Sequence, residues 1–166
     1  MKKNRDLIIL SYMKIVVMSD SHGHNEYIQD ILDYEPHAYR YLHCGDLCSS
    51  TMYFPDVVFV MGNCDYDFDM PKYAIVDCGK IKIYMTHGDR IYDREKTLAK
   101  WAKEKGCQIV VHGHTHRQSD ETVDGIRILN PGSLSFNRDG TPIGYLVIDI
   151  DDDGNYTVTR KNLKKL

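Results

Sequence analysis

Seven side chains in this sequence could together do metal chemistry: Asp20, His22, Asp46, Asn63, His87, His114 and His116. All offer oxygen or imidazole donors, and none is a thiolate. Such a set suits borderline and hard divalent ions such as Mn, Fe, Zn, Ni or Mg. It exceeds the three or four protein ligands that one ion takes, so two ions sharing one carboxylate is the economical arrangement. Singly the residues are weak signals, because a lone histidine is commonly core or surface and Gly-Asp is a common turn. Placed in order at the ends of five successive apolar runs, they become a strong one.

The elements that must carry them are visible in the hydrophobic pattern. Lys14 to Ser19 (KIVVMS) is nearly all apolar, as in a strand buried on both faces, and it stops at Asp20-Ser21-His22. Tyr39 to His43 runs into Gly45-Asp46, and Val57 to Met61 into Gly62-Asn63. Lys80 to Thr86 is the second half of a predicted hairpin around Cys78-Gly79 and stops at His87-Gly88. Gln108 to Val111 leads into His112-Gly113-His114-Thr115-His116. Between these runs, Tyr27, Ile28, Ile31 and Leu32 recur at helical spacing with Asn25 as a predicted N-cap, and Glu95 to Lys105 reads as a second helix with Gly106 at its C-terminus. Four further strands follow, separated by Asp124-Gly125, Pro131-Gly132, Asp139-Gly140 and Asp153-Gly154.

This order predicts helices flanking a mostly parallel first sheet, with a later antiparallel sheet packed against it. Ligands of open α/β sheets bind beyond the carboxyl ends of the strands, where every polar cluster falls. On an extended backbone, residues two apart point the same way, which would aim Asp20 with His22 and His114 with His116. Gly23, Gly45, Gly62, Gly88 and Gly113 flank these positions, where a missing side chain permits close approach.

The stations D-x-H at Asp20-Ser21-His22, G-D at Gly45-Asp46, G-N at Gly62-Asn63, H-G at His87-Gly88 and G-H-x-H at Gly113 to His116 resemble the calcineurin-like metallophosphoesterase superfamily. Gly62-Asn63-Cys64-Asp65 and Asn130-Pro131-Gly132-Ser133 are similar to its short single-domain bacterial and archaeal phosphodiesterases. The resemblance covers nearly the whole chain after Met13. It implies an α/β fold, a four-layer α/β/β/α sandwich of two packed mixed sheets with flanking helices. It also implies Asp20, His22, Asp46 and His116 on one ion and Asp46, Asn63, His87 and His114 on the other, with manganese expected ahead of Ni, Fe, Zn or Mg. The implied reaction is hydrolysis of a phosphoester, a phosphodiester foremost, by a metal-activated bridging hydroxide while the ions neutralise the phosphoryl oxygens.

Asp46, Asn63 and Asp65 are the candidate catalytic residues, although Asp65 could equally be a turn-capping carboxylate. Many family members carry a histidine directly after the asparagine, where this sequence has Cys64. A thiol is a poor acid toward an alkoxide, so leaving-group help falls to Asp65, another histidine or water, and diesters or activated esters should outpace alkyl monoesters. Cys64, His43, Ser133 and Arg138 are candidates for substrate contact or for supporting the ligands. For Cys64 and His43 plain packing is the simpler role, and for Arg138 solvated surface is, although arginine pairs bidentately with phosphate. His112 points opposite to His114 in an extended segment and is the least expected ligand of the three histidines there.

Length fits one catalytic domain over residues 13–166, with residues 1–12 as an N-terminal extension, read as an upstream start or a loosely held arm. The chain is 42% hydrophobic and 27% charged, and its net charge of -3 gives no electrostatic footprint for nucleic acid, which is unsupported rather than excluded; the partner that the resemblance implies is a small phosphodiester substrate. Apolar runs are too short for a membrane span. Five cysteines in neither an even framework nor a CxxC pair read as reduced thiols in a cytoplasmic protein. A homodimer or higher homo-oligomer is expected of a capless domain. Two other classes compete: a protein-interaction scaffold on the same fold, which expects decayed ligands, and a metal-dependent peptide or amide hydrolase, which the Gly62-Asn63 station does not favour.

Overall fold

The computed structural model describes residues 11–164. Most of the expected N-terminal extension, residues 1–10, lies outside the described residues. The order is β1 (Tyr12–Met18), α1 (Asn25–Tyr34), β2 (Arg40–His43), β3 (Val57–Phe59), β4 (Tyr73–Cys78) and β5 (Ile81–Thr86), then α2 (Arg94–Glu104), β6 (Ile109–Val111), β7 (Gln118–Val123), β8 (Ile126–Pro131), β9 (Gly144–Asp151) and β10 (Tyr156–Asn162). β1 starts two residues before the apolar run because Tyr12 and Met13 pair with Asp151 and Ile150 of β9.

Two five-stranded sheets result, ordered β10-β9-β1-β2-β3 and β4-β5-β6-β8-β7. Each has a parallel trio, β1-β2-β3 running to one edge of the first sheet and β5-β6-β8 at the centre of the second, and the remaining strands pair antiparallel. The expected split into a parallel early sheet and an antiparallel late one is therefore corrected. The reason is burial on both faces. In β9, Leu146, Ile148 and Ile150 face the core between the sheets while Tyr145 and Val147 face the opposite side, so this late strand belongs beside β1 in the interior.

β1 shows the same division. Ile15 and Val17 join Leu42, Ile83 and Val111 between the sheets, whereas Val16 and Met18 pack on Ile28 and Ile31 of α1. On the far side Leu98, Ala99 and Ala102 of α2 cover Tyr84, Val110 and Ile128. The layers are thus α/β/β/α. Each fully buried Ile or Leu contributes about 1.5–3 kcal/mol relative to exposure, so the three cores fix the sheets firmly enough to hold strained loops at their ends.

His24, not Asn25, occupies the N-cap position of α1 and makes no side-chain capping bond; Asn25 instead donates to Ser49 Oγ at 2.9 Å. Gly106 adopts φ +69° after α2, the left-handed cap its position predicts. No helix among the described residues is long and apolar enough to cross a membrane.

Candidate metal centre

Five strands, three from one sheet and two from the other, end at a common rim. The loop after β1 delivers Asp20 and His22, that after β2 Asp46, and that after β3 Asn63; β5 delivers His87, and β6 delivers His114 and His116. Backbone bonds lock these loops together: Asp20 N–H to Gly45 O and His22 N–H to Asp46 O in the first sheet, Gly113 N–H to His87 O in the second, each at 3.0 Å. Between the sheets, Leu134 N–H donates to Ser19 O at 3.0 Å and Ser133 Oγ to Asp20 O at 2.8 Å.

The Asp20/His22 and His114/His116 pairs are not aimed by extended alternation, and that expectation is corrected. Asp20, His22, Asp46, His114 and His116 have φ of +53°, +44°, +55°, +70° and +53°. This left-handed region costs a non-glycine residue on the order of 1–3 kcal/mol. The side chains turn inward from tight loops, and the bonds just described hold the strain.

Each donor atom has a definable state. Asp20 Oδ2 accepts from Ser19 Oγ at 2.5 Å and from His114 N–H at 3.0 Å. Its Oδ1 is left buried with no hydrogen-bond partner among the described residues, 3.2 Å from His116 Nε2 and 3.9 Å from His22 Nε2. Asp46 Oδ1 accepts the Cys64 N–H at 2.8 Å, while Oδ2 lies 3.6 Å from His22 Nε2 and 3.4 Å from His87 Nε2. His87 Nδ1–H donates to Cys44 O at 2.8 Å, which turns the Nε2 lone pair toward Asn63 Oδ1, 2.9 Å away. His114 Nδ1 is 3.1 Å from that same oxygen, and the Nε2 atoms of His22 and His116 are 3.1 Å apart.

These residues fit divalent cations. His87 Nε2 and the Asn63 carbonyl oxygen converge at 2.9 Å, and with His87 neutral both present lone pairs that one cation can accept. Separations near 3 Å match neighbouring ligands on one ion with bonds of about 2.1 Å. Ligand atoms of Asp20, His22 and His116, and of Asp20, Asp46 and His87, lie within 4.8 Å of one another. The electrostatics agree. Burial would raise the carboxyls of Asp20 and Asp46, but the histidines and hydrogen bonds outweigh it; both are lowered, Asp46 to about 2. Burial disfavours the His87 imidazolium, yet Asp46 and Asp20 raise it to about 8, so this spot attracts positive charge.

Asp65, a candidate for catalysis or for capping a turn, is engaged by backbone donors. Its Oδ2 accepts the N–H groups of Asp46 and Gly62 at 2.8 Å, and its Oδ1 that of Cys48 at 2.9 Å. His43 is fully buried: Nδ1 accepts the Gly45 N–H at 3.2 Å, Nε2–H donates to Ser21 Oγ at 2.9 Å, and burial lowers its pKa to about 4, keeping it neutral. Ser133 braces the Asp20 loop. Burial raises the Cys64 thiol, and beside Asp46 it is no nucleophile. Arg138 lines a cavity of about 430 Å³ over the candidate ligands, together with Cys64, Ser135 and Phe136. Phe136, whose ring meets His116 edge-on at 5.0 Å, had no signal in the sequence. Cys48, whose Sγ lies 3.5 Å from His22 Nδ1, stands two residues after Asp46, the one clue available. His112 lies outside the ligand groups, buried, with Nε2 unpartnered among the described residues.

The family model for the calcineurin-like phosphoesterase superfamily domain matches residues 13–153. The chain is 30% identical over 147 residues to the probable metallophosphoesterase YsnB of Bacillus subtilis, covering 85% of this chain and 86% of that one. It is 27% identical over 158 residues to a phosphodiesterase of Methanocaldococcus jannaschii, covering 81% and 92%. Among solved structures, a predicted phosphoesterase of Streptococcus pneumoniae matches with a TM-score of 0.77 at 25% identity over 92% of this chain and 100% of that one. A single mutant of Vps29 from Entamoeba histolytica matches with a TM-score of 0.72 at 22% identity over 92% and 100%, a likeness of fold alone.

Proposed function

Because the chain belongs to the calcineurin-like phosphoesterase superfamily, we propose that it hydrolyses a small phosphodiester at a two-ion centre. Asp20, His22, Asp46 and His116 hold one divalent ion, and Asp46, Asn63, His87 and His114 hold the other. The position of Asp46 carries this reading: one oxygen is tied to the Cys64 N–H and the other lies between His22 and His87, as a shared ligand requires. When bound, the ions supply Lewis acidity and a water acidic enough to be deprotonated near neutral pH.

The chain's own groups do the rest. Asp20 and Asp46 stay ionised, Cys44 O orients the His87 ring, and Arg138 stands at the cavity to pair with a phosphoryl oxygen. Neither Asp65, engaged with three backbone N–H groups, nor Cys64, whose thiol is raised, serves the leaving group as an acid. A diester with a good leaving group is therefore the better substrate, and the phosphodiesterase relative supports that class. Manganese is the first ion to try, because mixed carboxylate, amide and imidazole donors accept it along with Ni, Fe, Zn and Mg. Free thiols at all five cysteines support a reducing, cytoplasmic setting.

Manganese-loaded protein should cleave bis(p-nitrophenyl) phosphate and lose the rate with chelator. Faster turnover of a simple alkyl monoester would overturn the diesterase assignment. Absence of any metal-dependent rate would restore the scaffold alternative, for which the Vps29 likeness offers a fold alone.

A further inference from the structure

Next to the candidate centre lies a larger cavity of about 590 Å³, to which Asn63 is the only candidate ligand that contributes. One side is the loop from Asn63 to β4, where Tyr66 and Phe68 stand 86% and 92% exposed. Tyr73 of β4, which also lines the cavity, stacks on the buried Tyr84 of β5, with ring centroids 5.4 Å apart and planes 15° from parallel. Lys105 lies 5.4 Å over the Tyr73 ring, and Trp101 of α2 also lines the cavity. The metal chemistry uses none of these aromatic side chains.

We propose that this cavity takes the planar heteroaromatic base of a nucleoside phosphodiester whose phosphate lies at the metal centre. The inference rests on the phosphodiesterase reading of that centre. Three observations commit it to a base. Asn63 lines both cavities, so a molecule anchored by phosphate at one extends directly into the other. The exposed rings of Tyr66 and Phe68 offer faces on which any base can stack, and exposed rings beside a small-molecule-sized cavity mark a binding surface. Lysine at the rim complements the carbonyl oxygens of a base, while a net charge of -3 argues for one nucleoside unit rather than a polymer.

Trp101 is the sole tryptophan, so its fluorescence reports occupancy without turnover. Titrating manganese-loaded protein with thymidine 5′-monophosphate should quench it saturably, and ribose 5-phosphate, which has no base, should not. The Tyr66→Ala/Phe68→Ala double variant, altered only in an exposed loop, should weaken the nucleotide by about 5- to 100-fold. In turnover, thymidine 5′-(p-nitrophenyl phosphate) and methyl p-nitrophenyl phosphate release the same phenolate. The nucleoside ester should show the lower KM, and the double variant should erase that advantage while leaving the methyl ester unchanged. Equal quenching by ribose 5-phosphate, or unchanged nucleotide affinity in the variant, overturns the proposal. Turnover of both esters with equal KM overturns it while leaving the phosphodiesterase reading intact. Base-dependent quenching without turnover of either ester supports the cavity's role and removes the phosphodiesterase reading instead.

Discussion

The carboxylate of Asp65 accepts the backbone N–H of Asp46 at 2.8 Å, and the same oxygen accepts that of Gly62. Two loops that each carry a candidate ligand are thereby tied through one side chain. This makes Asp65 a positioning residue, and it predicts what its removal does. Asp65→Asn should lower metal affinity by about 10- to 100-fold, the usual effect of losing a group that orients a ligand. At saturating metal the dependence of rate on leaving-group pKa should match the parent protein. A metal titration and a series of aryl diesters measure the two; a steeper leaving-group dependence in the variant would return Asp65 to the role of acid.

The proposed sharing of Asp46 by two ions predicts unequal losses. His116→Ala should reduce bound metal from two ions to one, and Asp46→Ala should deplete both. Either change should cut diester hydrolysis by on the order of 10³-fold or more, since several kcal/mol of transition-state charge stabilisation is removed. Elemental analysis of dialysed proteins checks the stoichiometry, and equal retention in the two variants would count against a bridging Asp46.

Space, rather than conformational freedom, requires glycine at Gly62 and Gly113. A Cβ at Gly62 would run into the Asp46 carboxylate and backbone N, and one at Gly113 into Ser19 Oγ and Asp20 Oδ2. Gly62→Ala and Gly113→Ala should each cost about 1–3 kcal/mol as overpacking and should also abolish tight metal binding. Gly106→Ala meets nothing within 4 Å, and its φ of +69° should cost about 1 kcal/mol with metal binding unchanged. Thermal unfolding with and without manganese separates the two kinds of effect.

Glu35 supplies a pH dependence remote from the metal centre. Its buried carboxylate accepts from Lys14 Nζ at 3.1 Å and Tyr145 OH at 2.9 Å, and it also pairs with Lys161. Burial would raise this carboxyl, but Lys161, Lys14 and Tyr145 outweigh it and hold it below its ordinary 4.5. A lowered folded pKa means the contribution is complete above the unfolded value and is lost as pH falls through the folded one. Glu35→Gln should therefore cost about 1–2 kcal/mol at pH 7, a difference that shrinks at a pH below 4.5. Urea midpoints at pH 7 and below pH 4.5 test this, and an undiminished difference in acid would contradict it.

The sequence by itself determined the class of chemistry and where along the chain it resides. Asp20, Asp46, Asn63, His87 and His114 each follow an apolar run, so local periodicity alone placed them at strand ends, and donor type named the class of cation. Tertiary structure decided what local pattern cannot encode. β9 pairs with β1 because both are apolar on two faces, a match between segments more than a hundred residues apart that no turn signal announces. Left-handed backbone at Asp20, His22, His114 and His116 exists only because distant loops hold it, as the His114 N–H bond to Asp20 across 94 residues shows. Asp65 gained its backbone partners 17 and 19 residues away, and the aromatic cavity assembled from a loop, a hairpin and a helix, for the same reason: packing brings together residues whose spacing in sequence carries no period.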